Sequence, residues 1–151
     1  IRVRGSHITI GYLDNIEETN NTFRNGWLYT GDIAYVDDEN YVFIIDRVKE
    51  MAIVSGFNVF PREVDEALMS HPEISEAATI ALPNKSKGEI IKSFIKLVSD
   101  SQITEDEIKD YCRERLISYK IPSEIEFCTK LAKTPIGKID KKLLKKNSIN
   151  K

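Results

Sequence analysis

A chain of 151 residues has room for one ordinary domain, or for a small domain joined to a piece of another. Its 41% hydrophobic and 30% charged residues are those of a soluble globular protein, and a net charge of −2 argues against a dedicated nucleic-acid binder, which carries a strong basic excess. No run approaches the roughly 18 consecutive apolar residues of a membrane-spanning helix. Ile1 rather than Met opens the chain, from which a piece of something longer is expected. The two cysteines, Cys112 and Cys128, fit no zinc or redox spacing and read as reduced thiols of a cytosolic protein. His7 and His71 stand in no metal-binding pattern, so no metal site is expected.

In chain order, residues 1–35 are rich in β-branched and aromatic residues broken by Gly5, Gly11, Asn20-Asn21, Asn25-Gly26 and Gly31. This predicts short strands and turns, with a hairpin signal at Asn25-Gly26. Residues 37–40 read as a polar turn before a strand at 41–45. Two short strands at 52–54 and 57–59 join through Ser55-Gly56, where glycine permits a positive φ. Pro61 suits the first turn of a helix with Val64, Ala67 and Leu68 as its apolar stripe, and His71-Pro72 stops it. Strands are predicted at 77–82 and 90–98. Thr104 and Glu107 make a capping box for a helix reaching about Ile117, with Ile108, Tyr111, Cys112 and Leu116 buried. A strand at 125–127 follows, and Asp140 caps a last helix with Leu143 and Leu144 inward. The interleaving predicts an α+β domain over 49–147, after strands and turns over 1–48 and before a disordered tail at 148–151. The junction at 46–50 has no glycine or proline and reads as a short hinge rather than a floppy linker.

Three places carry candidate chemistry. Asp32, after Gly31, is set to accept hydrogen bonds from two adjacent hydroxyls, such as those of a ribose, or only to fix the turn. Arg47 offers a planar fork for hydroxyls or phosphate oxygens, but taken singly it reads first as a surface ion-pair partner. Lys138 follows Thr134-Pro135-Ile136-Gly137. A compact charge on such a loop can stabilise charge developing on a carboxylate and on phosphate oxygens. The competing reading is a solvated basic tail, because Lys130, Lys133, Lys141, Lys142, Lys145 and Lys146 surround it. Gly137-Lys138 is no Walker loop, since the upstream glycine is missing and Ile139 replaces the Ser or Thr that would bind magnesium.

Four motifs stand in the order and spacing of the adenylate-forming superfamily: Tyr29-Thr30-Gly31-Asp32, Asp46-Arg47-Val48-Lys49, Ser55-Gly56-Phe57-Asn58-Val59-Phe60-Pro61-Arg62-Glu63 and Pro135-Ile136-Gly137-Lys138. Gly11-Tyr12-Leu13 and Asn25-Gly26-Trp27-Leu28 also fit. The superfamily contains acyl-CoA synthetases, firefly luciferase and the adenylation domains of peptide synthetases, and the wording from Ser55 to Pro61 most resembles bacterial long-chain fatty-acid–CoA ligases. The resemblance implies two steps: ATP and a carboxylic acid give an acyl-adenylate and pyrophosphate, and the thiol of CoA then displaces AMP. It implies that Asp32 and Arg47 hold the ribose of ATP. Lys49 would be the hinge about which the C-terminal domain swings, and Lys138 the catalytic lysine of adenylation. Ser55, Gly56 and Phe57 would lie on the CoA pantetheine side. Glu63 looks like a structural anchor of its helix.

Ala132 departs from the proline usual in the superfamily, and Glu50 and Ala52 are unusual choices after the hinge. The phosphate loop, the motif serving ATP and magnesium, and the acyl pocket are not in the sequence. Magnesium ligands are therefore expected outside this chain, and no ligase activity is expected of it alone. The implied fold is α+β: the small C-terminal domain of an adenylate-forming enzyme, a short sheet flanked by helices, after the β-rich end of a large N-terminal domain. Expected partners are a small carboxylic acid, ATP and CoA, with no nucleic acid and no obligate protein partner. The expected location is the cytoplasm, with peripheral contact at the inner membrane face. Two alternatives stay open: a carrier-protein ligase or adenylation domain of peptide-synthetase type, and a non-catalytic nucleotide-binding module. Retention of Asp32, Arg47 and Lys138 together weighs against the second.

Overall fold

The computed structural model describes residues 1–150, and the chain divides into two compact units between Lys49 and Glu50. In the first unit, β1 (Arg2–Val3) and β2 (Phe23–Arg24) flank β3 (Trp27–Tyr29), both antiparallel to it. Asn25 and Gly26 have φ of 52° and 75°, as a two-residue hairpin turn of the primed type requires, so the Asn-Gly signal marks where β2 meets β3. Between β1 and β2 lies α1 (Ile16–Thr22), a helix where strands and turns are expected. Its start is nevertheless written locally: Asn15 Oδ1 accepts from the Glu18 amide at 3.0 Å, and Glu17 and Glu18 occupy the positive first turn. The Asn20-Asn21 pair sits inside this helix, since asparagine costs only tenths of a kcal/mol there.

β4 (Asp32–Val36) and β5 (Val42–Arg47) form an antiparallel ribbon of their own. Asp37 Oδ1 closes its turn by accepting from the Glu39 and Tyr41 amides at 3.0 and 2.8 Å. β5 runs beyond the expected 41–45 to take in Asp46 and Arg47. Val36 to Ala34 pair regularly with Val42 to Ile44, but the register then shifts, placing Ile33 opposite Asp46 and Asp32 opposite Arg47. Ile45 is the extra residue of a β-bulge.

The second unit is built on β9 (Gly88–Leu97). β8 (Ile74–Asn84) pairs with it antiparallel along its length, and β10 (Glu124–Phe127) pairs in parallel with Lys92 to Ile95. β6 (Ala52–Val54) meets β9 at Gly88 and carries β7 (Phe57–Val59) on its other side. Three helices cover this sheet. α2 (Pro61–Met69) begins on its proline, and α3 (Glu105–Arg113) begins on the Thr104–Glu107 capping box. In that box Thr104 Oγ1 accepts from the Glu107 amide at 3.3 Å and Glu107 Oε2 from the Thr104 amide at 2.8 Å. α4 (Lys141–Ile149) is capped by Asp140, whose Oδ1 accepts from the Leu143 amide at 3.0 Å.

Alternation along β8 and β9 splits the core in two. Ala77, Ala81, Ile91 and Ile95 pack with Val64 and Leu68 of α2 and Ile108 and Cys112 of α3. Ala78, Ile80, Leu82 and Phe94 pack with Leu131 and with Leu144 of α4. Each fully buried aliphatic side chain here contributes about 1.5–3 kcal/mol. Because both faces are covered, β8 is written as a near-continuous apolar run rather than an alternating one.

Three expectations are corrected. α3 ends at Arg113, not near Ile117, which is exposed, and Tyr111 is half-buried with its ring edge-on to His71. Leu143 is 40% exposed, because it lies roughly 100° around the helix from the buried Leu144. α4 takes in Ser148 and Ile149, so no tail starts at 148, and Lys151 lies outside the described residues. Among the described residues no helix is long and apolar enough to cross a membrane.

Candidate functional site

The first pair of candidate residues is joined by the β4–β5 ladder. Arg47 Nε donates to Asp32 Oδ1 at 3.1 Å and Nη2 to the Thr30 carbonyl at 3.1 Å. The turn beneath is held by the Val48 amide on the Gly31 carbonyl at 2.8 Å and by the Asp32 amide on Thr30 Oγ1 at 3.1 Å. Asp32 Oδ2 and Arg47 Nη1 remain without a partner among the described residues, an acceptor and a donor side by side on a half-exposed surface. That pairing suits neighbouring hydroxyls. Asp46, buried, accepts from the Arg47 amide at 2.7 Å.

Lys49 ends the first unit with its side chain 89% exposed, 3.8 Å from Glu18 Oε1. Such a pair adds at most about 1 kcal/mol, so little restrains this side chain.

Ser55 and Gly56 form the β6–β7 turn with φ of 50° and 86°. A Cβ on Gly56 would touch nothing within 4 Å, so glycine is required here by backbone conformation and not by space. The turn is fastened to β9 and its approach by the Ser55 amide on the Lys87 carbonyl at 2.9 Å and the Ile53 amide on Glu89 Oε2 at 2.7 Å. Phe57 does not stand free. Its ring stacks on Tyr119 at 4.5 Å and 11°, and the residue remains about half exposed.

Lys138 sits on a small hairpin between β10 and α4. Lys133 bridges Ile139, the Thr134 amide donates to the Lys138 carbonyl at 2.7 Å, and the Gly137 amide donates to the Thr134 carbonyl at 2.9 Å. Pro135 presets one turn residue and Gly137, at φ 81°, supplies the left-handed one, which is why Pro-Ile-Gly-Lys folds this way. Ile136 is 78% exposed at the tip, and Lys138 is exposed and paired with no carboxylate among the described residues. Ala132 contributes its carbonyl, accepting from the Asp140 amide at 2.8 Å, a group that proline would also supply.

The lysines around it are not all solvated tail charges. Lys133 Nζ is 2.8 Å from Glu76 Oε2 and Lys141 Nζ is 2.7 Å from Asp65 Oδ2. Hydrogen bonds from Lys133 and Lys96 hold Glu76 below the usual carboxylate range. Burial pushes Asp65 up despite the opposing charge of Lys141. Glu63 does anchor α2: both its oxygens accept from Lys120 Nζ at 2.7 Å. The sequence reading missed Lys120, Tyr119, Asp65 and Lys141 as parts of this surface, because their partners lie dozens of residues away and no local pattern marks them.

The structure therefore brings Asp32 and Arg47 together on one ribbon, sets Ser55 to Phe57 on one hairpin, and presents Lys138 on another. Helices covering both faces of an antiparallel-centred sheet, with a lysine hairpin before the last helix, define the C-terminal domain of an adenylate-forming enzyme. Residues 63–138 match the family described as AMP-binding enzyme C-terminal domain, and the chain belongs to that family. It is 42% identical over 137 residues to a long-chain-fatty-acid–CoA ligase of Escherichia coli O157:H7, covering 91% of this chain and 24% of that protein. It is 42% identical over 146 residues to 4-coumarate–CoA ligase 2 of Nicotiana tabacum, covering 96% of this chain and 27% of that one. Among solved structures it resembles o-succinylbenzoate CoA synthetase of Bacillus subtilis in complex with its acyl-adenylate intermediate, with a TM-score of 0.88 and 32% identity over 95% of this chain and 29% of that one. The chain thus spans about a quarter of the length of the curated relatives it matches.

Proposed function

We propose that this chain works as the C-terminal part of an AMP-forming acid–thiol ligase that activates a long-chain fatty acid and passes it to CoA. The observation that carries the reading is the Lys138 hairpin: an unpaired ammonium held out on an ordered turn, in a chain of this family. In the adenylating step its charge meets the substrate carboxylate and the phosphate oxygens, where charge develops and one donor is worth several kcal/mol. Asp32 Oδ2 and Arg47 Nη1 take the ribose hydroxyls. Lys49 is the hinge between the segment before it and a mobile domain that follows it and takes in α4. Ser55, Gly56 and Phe57 serve the pantetheine arm in the second step. In this reading the magnesium that accompanies ATP is held by other residues of the ligase, and the chain alone has no turnover. A cytoplasmic enzyme touching the membrane face peripherally fits a long-chain substrate.

The test is Lys138→Ala in the full ligase. Acyl-adenylate formation, read by pyrophosphate exchange, falls by orders of magnitude, whereas thioester formation from supplied acyl-adenylate is largely spared. Equal losses in both steps refute the role. A second reading, an aromatic acid as substrate, is favoured by the equal identity to the tobacco 4-coumarate enzyme, and a panel of fatty and hydroxycinnamic acids separates the two.

A further inference from the structure

We propose that Asp65 and Lys141 are positioning residues for adenylation: their ion pair ties the Lys138 hairpin to α2 and so aims the lysine without touching substrate. The inference rests on the reading of Lys138 above as the adenylating lysine.

The geometry is specific. Lys141 lies three residues after Lys138, and its Nζ is 2.7 Å from Asp65 Oδ2, with the side chains 26% and 17% exposed. Asp65 is bracketed on α2 by Val64 and Leu68, both fully buried in the core, so it is a fixed point. Between Lys138 and Lys141 stands Asp140, whose amide is fastened to the Ala132 carbonyl and whose carboxylate caps α4. Displacing Lys141 therefore displaces the return strand of the hairpin. Lys133 fastens the outgoing strand to Glu76, but that carboxylate is shared with Lys96 and the Lys133 side chain is 46% exposed, so salt and water screen it more. Within the hairpin, among the described residues, three backbone hydrogen bonds act, from the Thr134, Gly137 and Asp140 amides, Ile139 leans on the core, and the tip is exposed. Its placement is set from outside.

Burial makes this pair a costly way to gain stability. Asp65 Oδ1 is buried and makes no hydrogen bond of normal geometry. Lys141 and the neighbouring Thr79 ease its charge, yet burial outweighs them and its pKa is raised. Replacing such a buried pair by apolar groups is often neutral for stability, so the role we assign to it is the geometry it imposes. Glu50 Oε2, 3.9 Å from Lys141 Nζ, is a second and weaker partner.

Two measurements decide the matter. In this chain, amide hydrogen exchange at Thr134, Gly137 and Asp140 is compared with exchange at Ile80 and Phe94 for Lys141→Met, Asp65→Asn and Lys141→Arg. Lys141→Met and Asp65→Asn are expected to speed the three hairpin amides by about tenfold and the two core amides by less than about twofold, with Lys141→Arg near wild type. Hairpin and core loosening together, or an unmoved hairpin, overturns the proposal. In the full ligase, Lys141→Met slows pyrophosphate exchange and spares thioester formation, and adding it to Lys138→Ala causes no further loss. Additive losses mean a merely structural role. If Lys138→Ala leaves adenylation intact, the catalytic reading fails on its own, while hydrogen exchange still reports whether the pair holds the hairpin.

Discussion

Asp32 and Arg47 face each other across the β4–β5 ribbon, 3.1 Å from Oδ1 to Nε, because Ile45 is an extra residue on β5. The register from Val36 to Ala34, continued without the bulge, would set Asp46 opposite Asp32. Two carboxylates would then oppose one another, an arrangement that destabilises a ladder. The slip instead buries Asp46 and brings a guanidinium to Asp32.

Arg47→Ala should therefore separate binding from folding. The exposed ion pair contributes at most about 1 kcal/mol, so urea denaturation of the variant should shift by no more than that. AMP affinity of the full ligase, measured by calorimetry, should fall about tenfold or more, and Arg47→Lys should not restore it because the fork is lost. Unchanged affinity removes Arg47 from the nucleotide site.

The Ser55-Gly56 turn offers a test of backbone strain. Gly56→Ala forces a Cβ into the left-handed region at φ 86° and should cost about 1–2 kcal/mol, although nothing crowds the position. Ser55→Asn puts the favoured residue at φ 50° and should stabilise by some tenths of a kcal/mol, visible as a higher denaturation midpoint.

Burial raises the folded-state pKa of Asp65 above its ordinary value of 3.8. The folded chain then holds a proton that the unfolded chain has already lost. Its stabilising contribution is complete below that ordinary value and disappears as pH rises through the folded pKa. The stability of wild type relative to Asp65→Asn should accordingly shrink from acid toward neutral pH in denaturant titrations. A difference that grows with pH contradicts the assignment.

On α4, Leu144→Ala should cost about 2–5 kcal/mol, since Leu144 fills the cluster of Ile80, Leu82 and Phe94. Leu143→Ala, at 40% exposure, should stay within about 1 kcal/mol. Equal costs, read by thermal unfolding, would restore the expectation that both leucines face inward.

Much of this was legible in the chain because its causes are local. Asn25-Gly26 makes a hairpin through its own φ angles, Pro61 starts α2 because it has no amide hydrogen to leave unpaired, and Thr104 with Glu107 closes the start of α3 within one turn. α1 was also written locally, in Asn15 and Glu18, but the β-branched and asparagine-rich surroundings masked it. Leu143 and Leu144 were indistinguishable by composition, and only the direction of the sheet selects between them.

Local sequence alone marks the Asn25-Gly26 hairpin, the starts of α2, α3 and α4, and the motifs of the family. Each of these depends on backbone angles and hydrogen bonds within a few residues. The tertiary structure decided the slip that pairs Asp32 with Arg47, the division of β8 and β9 between two cores, and the choice of Asp65, 76 residues away, as partner for Lys141. Those depend on which charges lose water and which side chains share a buried face, quantities that exist only once the chain has folded.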